Sequence, residues 1–363
     1  MTNMTKEINQ SIKELSHLYD PESKDMFISV YLNRLEDESF LKKRVQACKG
    51  LLDGDEKENF SKTMNQVNEL LSNNKEKNIA IFASEKHGLF TYLTLPIDIY
   101  NALIVDSSPY IRPLVRIMDE WETYTLVLLN SHQAKVFSVE LGVAEKKKNL
   151  SSDIMNKHKK GGWSQARFQR LRKGAIHDFY HEVVDFLEKN VDGEIVLAGP
   201  GVAKTQFQDL LPQHIAERIV DVIDSGMDDE SEVIHKSLDI ISKKEDAEGH
   251  KAVDLLKAEI LKNGLAVYGF DDTLKAAQMG QIDMLIVEKD YQLKGCLCEH
   301  CQIIKSGPVK DCPVCGGSTT EADVIEEIIE FAKRTDAKIE FTDDEQISVL
   351  GHIGGLLRFK VES

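Results

Sequence analysis

Short apolar runs of five to eight residues, bounded by turn residues and separated by amphipathic stretches, limit this chain of 363 residues to an α/β fold. Met26–Leu32, Ile79–Ala83, Gly88–Leu95, Tyr124–Leu129, Ala134–Leu141 and Glu194–Ala198 are rich in β-branched and aromatic residues and too short for helices, so each is expected to be a strand. Between them, residues 1–20, 40–52, 56–71 and 164–190 repeat apolar side chains three and four positions apart, the helical period. In the last of these, Phe168, Leu171, Phe179, Val183 and Leu187 are available for one face. Pro109 and Pro113 are expected to break the chain into a loop. Residues 230–263 read as one or two charged helices, 266–287 as strand, helix and strand, and 321–335 as a further helix. Two short strands, 338–341 and 356–361, are expected after it. The predicted domains are 1–121, 122–228 and 229–363, with a cysteine-rich insert at 291–320.

Positive charge is concentrated in one place. The chain carries a net charge of −16, yet Ala144–Lys173 holds ten Lys or Arg against two Asp or Glu. An acidic chain is a poor nonspecific nucleic-acid binder as a whole, but a polarised patch can face phosphate. A solvated lysine-rich loop is the plain alternative. Within the patch, Gly161 and Gly162 form a flexible turn, followed by Trp163, Ser164, Gln165 and a basic helical segment. Trp163 is suited either to stacking on a base or to burial. Arg167, Arg170 and Arg172 cluster with Lys157, His158, Lys159, Lys160 and Lys173 and with them are candidates for contacts to RNA; helix-surface solvation or pairing within the domain is the other reading.

Five of the six cysteines fall between Cys296 and Cys315. Cys298-x-x-Cys301 and Cys312-x-x-Cys315 are two knuckles ten residues apart, the spacing of a four-thiolate tetrahedral Zn2+ site, structural because all four positions are filled. Cys296 or His300 is a possible substitute for one ligand. Reduced thiols without metal are the alternative. A clustered set of this kind suits a reducing compartment better than a secreted disulfide framework. No run of about 18 apolar residues is present, and the first residues lack an apolar signal core, so a cytoplasmic protein with no membrane partner is expected. Gly199-x-Gly201 lacks the further glycine spacing of a phosphate-binding loop and reads as a tight turn between strand and helix.

Three segments carry a family resemblance: K-H-K-K-G-G-W-S-Q-A-R-F-Q-R-L-R at 157–172, I-V-L-A-G-P-G-V-A-K-T-Q-F at 195–207, and Y-G-F-D-D-T-L-K-A-A-Q-M-G-Q-I-D-M-L-I-V at 268–287. They resemble the archaeal and eukaryotic class-1 peptide chain release factors and pelota, over about 122–363 and only loosely before that. The resemblance implies three domains: an N-terminal α/β domain, a ribonuclease H-like central domain, and a C-terminal domain similar to proteins that bind kinked RNA, with a zinc-ribbon insert. It also implies a tRNA-like occupant of the ribosomal A site. The N-terminal domain would meet 16S rRNA at the decoding centre, and the central loop Gly161–Gln165 would reach 23S rRNA at the peptidyl transferase centre. A GTPase, elongation factor Tu or a related one, is an implied partner.

Two departures shape what carries over. In release factors the Gln follows the two glycines directly, whereas Trp163 and Ser164 precede Gln165 here, adding up to about 7 Å of chain. Gln165 is therefore only a candidate catalytic residue for hydrolysis of peptidyl-tRNA or cleavage of its tRNA. The stop-codon motifs of release factors are also absent from 1–121. Those differences resemble bacterial members of the superfamily, the Balon-like hibernation factors, which fill the A site of idle ribosomes. Hibernation is the expected role, and rescue of stalled ribosomes the alternative.

Overall fold

The computed structural model describes residues 3–20, 25–33, 40–152, 163–191, 193–298, 303–307, 309–317 and 319–360. The chain divides into two compact units. One takes Met1–Lys6 and Trp121–Glu245, and the other takes Glu7–Glu120 and Asp246–Ser363.

The second unit is built from an early and a late part of the chain. Its early part runs α1 (Asn3–Leu15), β1 (Phe27–Asn33), α2 (Phe40–Leu51), α3 (Gly54–Asn73), β2 (Asn78–Ser84), β3 (Leu89–Thr94), β4 (Ala102–Asp106) and α4 (Arg112–Glu120), with residues 3–6 of α1 counted in the other unit. The four strands form an antiparallel sheet in the order β3-β2-β1-β4. Strand alternation points Ile28, Val30, Ile79 and Ile81 into a core with Phe60, Met64 and Val67 of α3. Phe27, Tyr31 and Phe82 on the opposite face are also buried, so β1 is covered on both sides. The expected loop at Pro113 is instead the first turn of α4. Proline fits there because the amide it lacks has no partner inside a helix.

The first unit holds β5 (Tyr124–Leu129), β6 (Gln133–Glu140), β7 (Val143–Ser151), α5 (Trp163–Asn190), β8 (Glu194–Gly199), α6 (Ala203–Gln208), α7 (Gln213–Ala216), β9 (Ile219–Asp224) and the start of α8 (Glu230–Leu261). Its sheet order is β7-β6-β5-β8-β9. The pairs β5–β6 and β6–β7 are antiparallel, while β8 runs parallel to β5 and β9 parallel to β8, a ribonuclease H-like arrangement. One face packs on α5 through Val127, Leu129, Phe179, Val183 and Leu187. The other packs on α8 through Leu126, Leu128, Val233 and Ile241. The Gly199–Gly201 turn is tight: a Cβ on Gly199 would stand 2.0 Å from Leu129 O. Lys204 folds back onto it, donating to Gly199 O at 3.0 Å and meeting Asp224 Oδ1 at 2.6 Å, so the only lysine of the turn is already satisfied by the protein.

The late part of the second unit runs β10 (Ala266–Tyr268), α9 (Phe270–Gln278), β11 (Ile282–Glu288), β12 (Lys294–Cys298), β13 (Ile304–Ser306), β14 (Thr319–Asp323), α10 (Val324–Arg334), β15 (Lys338–Thr342), α11 (Glu345–Val349) and β16 (Ile353–Leu357). Two sheets result, β10-β16-β11-β15 and β13-β12-β14. The helix α10 begins where Asp323 accepts from Ile325 N at 3.2 Å, a side-chain cap on an otherwise unpaired amide. The last strand ends at Leu357, earlier than the apolar pattern suggested, with Gly354 and Gly355 at its centre.

Candidate functional site

The expected basic face falls mainly on α5. Lys157, His158, Lys159, Lys160, Gly161 and Gly162 lie outside the described residues. Trp163, Ser164 and Gln165 supply the backbone of the first turn of the helix. The packed part of α5 starts at Ile176, followed by Phe179, Tyr180, Val183, Val184 and Leu187 in the core. Before it, Arg167, Arg170 and Lys173 are exposed and Arg172 is half-buried. Phe168 and Leu171 do not join the core as their spacing suggested; they are 46% and 58% exposed. The segment 163–175 extends about 20 Å at the helical rise. It contains four cationic side chains and no carboxylate. From 166 to 174 every residue but the half-buried Arg172 is exposed; a helical stretch so solvated has no tertiary reason to be cationic, and its charge is available to a partner.

The other half of the basic patch is partly neutralised. Lys146 and Lys147 lie on the exposed strand β7. Lys146 Nζ is 2.9 Å from Glu230 Oε1 and 5.2 Å above the Phe137 ring, and Lys147 pairs with Glu145. Hydrogen bonds from Lys135 and Lys146 hold the Glu230 carboxyl below the usual carboxylate range.

The predicted metal ligands converge in part. Cys298, Cys312 and Cys315 bring their sulfurs within 4.8 Å of one another. Cys298 Sγ and Cys315 Sγ are 3.4 Å apart, and Gly317 N donates to Cys315 Sγ at 3.4 Å, a contact that favours thiolate. Cys312 and Cys298 are buried and Cys315 is exposed. Cys296 is buried two residues from Cys298 on β12. Cys301 and His300 lie outside the described residues. This soft donor set, closing a small three-stranded sheet that has little apolar core of its own, fits a structural metal ion.

A third feature escaped the sequence reading. Inside the second unit, α4 and the residues before it bond to α10 through buried acids. Glu326 Oε1 accepts from Ile111 N at 3.2 Å and Arg112 N at 3.0 Å. Ser108 Oγ donates to Glu330 Oε1 at 2.9 Å, and Phe341 N donates to Asp119 Oδ2 at 2.7 Å. Burial raises the Glu326 carboxyl to about 8 and Asp119 to about 7, and pushes Glu330 well up, because a carboxylate loses its hydration there. Beside them lies a cavity of about 480 Å3, lined by Ile104, Asp106, Tyr110, Lys294, Asp323 and Glu326 among others. The signal was present as three glutamates in V-I-E-E-I-I-E, but helical acids ordinarily read as a solvated face.

With this geometry in hand, a family model described as Bacterial archaeo-eukaryotic release factor family 10 matches residues 109–241, and one described as eRF1 domain 3 matches residues 247–361. Both matched regions are of the archaeo-eukaryotic release factor type. Among release-factor relatives, peptide chain release factor subunit 1 of Archaeoglobus fulgidus is 27% identical over 296 residues, 73% of this chain and 72% of the relative. The same factor of Methanocaldococcus jannaschii is 28% identical over 345 residues, covering 80% and 81%. A solved structure of the translation termination-like factor Dom34 of S. cerevisiae aligns at 13% identity with a TM-score of 0.43, covering 79% of this chain and 81% of that one. The superfamily match spans both the solvated arm of α5 and the cysteine cluster. Among the described residues, no helix is long and apolar enough to cross a membrane.

Proposed function

We propose that this release-factor-like protein is a cytoplasmic ribosome-binding factor that fills the A site of idle ribosomes, from 16S rRNA at the decoding centre to 23S rRNA at the peptidyl transferase centre. It does so as a hibernation factor that reads no stop codon. The observation that carries this reading is the cationic stretch 163–175 of α5, unpacked on its flanks and directly following the Gly-Gly turn. Arg167, Arg170, Arg172 and Lys173 contact rRNA phosphate in this reading, and Lys157, His158, Lys159 and Lys160, just before them in the sequence, add to the positive charge. Relatives named as chain release factors support a ribosomal target. Zn2+ on Cys298, Cys301, Cys312 and Cys315 would hold the ribbon, and elongation factor Tu or a related GTPase would deliver the protein.

A second reading is ribosome rescue, with Gln165 positioning water on peptidyl-tRNA. The Gly-Gly-x-x-Gln order favours it. The helical start at Trp163 weighs against it, because Gln165 then belongs to a helical turn and not to the loop tip. Misplacement near 1 Å costs such catalysis about 100-fold. The two readings separate when purified protein is added to ribosomes carrying peptidyl-tRNA and an empty A site. Stable binding without peptide release is expected. Release that disappears in Gln165→Ala would replace hibernation by rescue, and absence of binding would sink both.

A further inference from the structure

One turn after the solvated arm, two histidines on α5 face each other. His177 Nε2 and His181 Nε2 are 3.3 Å apart, with ring centroids 4.4 Å apart. They stand four residues apart, and both are exposed. We propose that His177 and His181 form a second metal site, for a divalent transition ion of the zinc, nickel or copper class, distinct from the cysteine cluster.

The spacing is the first argument. Two nitrogens bound to one ion at 2.0–2.1 Å with tetrahedral angles stand about 3.3–3.4 Å apart. A direct N–H···N hydrogen bond at this separation lies at the long end of its range and competes with water on both rings. Protonation of both rings would set two positive charges against each other at the same distance.

The second argument is which atoms meet. The two rings turn Nε2 toward Nε2, so one ion can take a lone pair from each. Asp178 Oδ1 stands 3.9 Å from His177 Nδ1, beyond hydrogen-bond reach. Among the described residues no third His, Cys, Asp or Glu donor closes on this pair, so water fills the remaining positions of the shell. Imidazole selects a borderline metal, whereas the thiol cluster offers a softer set of donors.

The place gives the site a use. Gly174 is an interior helical glycine with nothing within 4 Å of where its Cβ would be. Such a glycine weakens a helix by about 1 kcal/mol relative to alanine. An ion bridging positions 177 and 181 closes the next turn and firms the base from which the arm extends.

The test uses the full chain loaded with one equivalent of Zn2+ and freed of excess metal, so that the thiols are occupied and the imidazoles are not, and titrates Ni2+ by calorimetry at pH 7.5. One binding event is expected. It should weaken by about tenfold or more in His177→Ala and in His181→Ala. Both side chains are exposed, so the variants are expected to retain the wild-type circular dichroism. Ni2+ binding that is unchanged in the double variant, or absent from the wild type at millimolar metal, overturns the proposal. Neither result depends on ribosome binding.

Discussion

Arg112 Nη1 lies 2.9 Å from Asp323 Oδ2, joining positions 211 residues apart, and the same guanidinium donates through Nη2 to Tyr291 O. The Arg112 side chain is 7% exposed and that of Asp323 21%. Removing one partner of a buried pair leaves the other charge without compensation. Arg112→Ala is therefore expected to lower the unfolding free energy by about 3 kcal/mol, read from urea denaturation. Lys62→Ala, whose partners Glu58 and Glu85 are solvated, should leave the denaturation curve nearly unchanged.

The buried acids make stability depend on pH in an unusual direction. Glu326 is raised to about 8 and Asp119 to about 7, chiefly by burial. Both keep protons in the fold that the unfolded chain releases near pH 4. The folded state therefore binds more protons between about pH 4.5 and 8, and their contribution to stability falls as pH rises through that window. Glu326→Gln removes one of the two groups. Thermal melts from pH 5 to 8 should show a shallower decline for the variant; parallel curves would refute the assignment.

Reversing the arm charges tests the RNA face. Arg167→Glu with Arg170→Glu should abolish co-sedimentation with ribosomes while leaving circular dichroism unchanged, since both side chains are exposed. Wild-type binding should also weaken steeply with salt, as expected where phosphate contacts release counterions.

For the cysteine cluster, metal analysis of protein purified without chelator should return one zinc per chain. Cys312→Ser should lose it and make the segment 294–323 more sensitive to protease, without unfolding the sheets elsewhere.

Gly199→Ala probes the turn. Its Cβ would press on the Leu129 carbonyl, backbone that cannot rotate away. A loss of about 1–3 kcal/mol is expected in denaturant unfolding.

Strand and helix identities in the central unit were readable because apolar residues there follow clean periods, as in Tyr124–Leu129 and Glu194–Ala198. The strand β7 was not, because V-A-E-K-K-K-N-L-S carries its charges on an exposed edge and so lacks the alternation that reveals a half-buried strand. Phe168 and Leu171 fitted a helical core face by spacing, but periodicity does not say where along a helix the packing stops. The convergence of Cys298, Cys312 and Cys315 was legible from two short spacings. The acids at 326 and 330 were not, since their burial comes from residues more than 200 positions earlier.

That long separation has a consequence for biosynthesis. Ser108, Ile111 and Arg112 are made more than 200 residues before Asp323, Glu326 and Glu330, which satisfy them. A growing chain therefore carries the helix of residues 112–120 with its buried-to-be guanidinium unpaired until Asp323 is made, 211 residues later. The interrupted unit closes only once α10 has been made, whereas Trp121–Glu245 already has its own sheet and core. Maturation should be vectorial in the reverse of the usual sense, with the middle of the chain settling before its beginning.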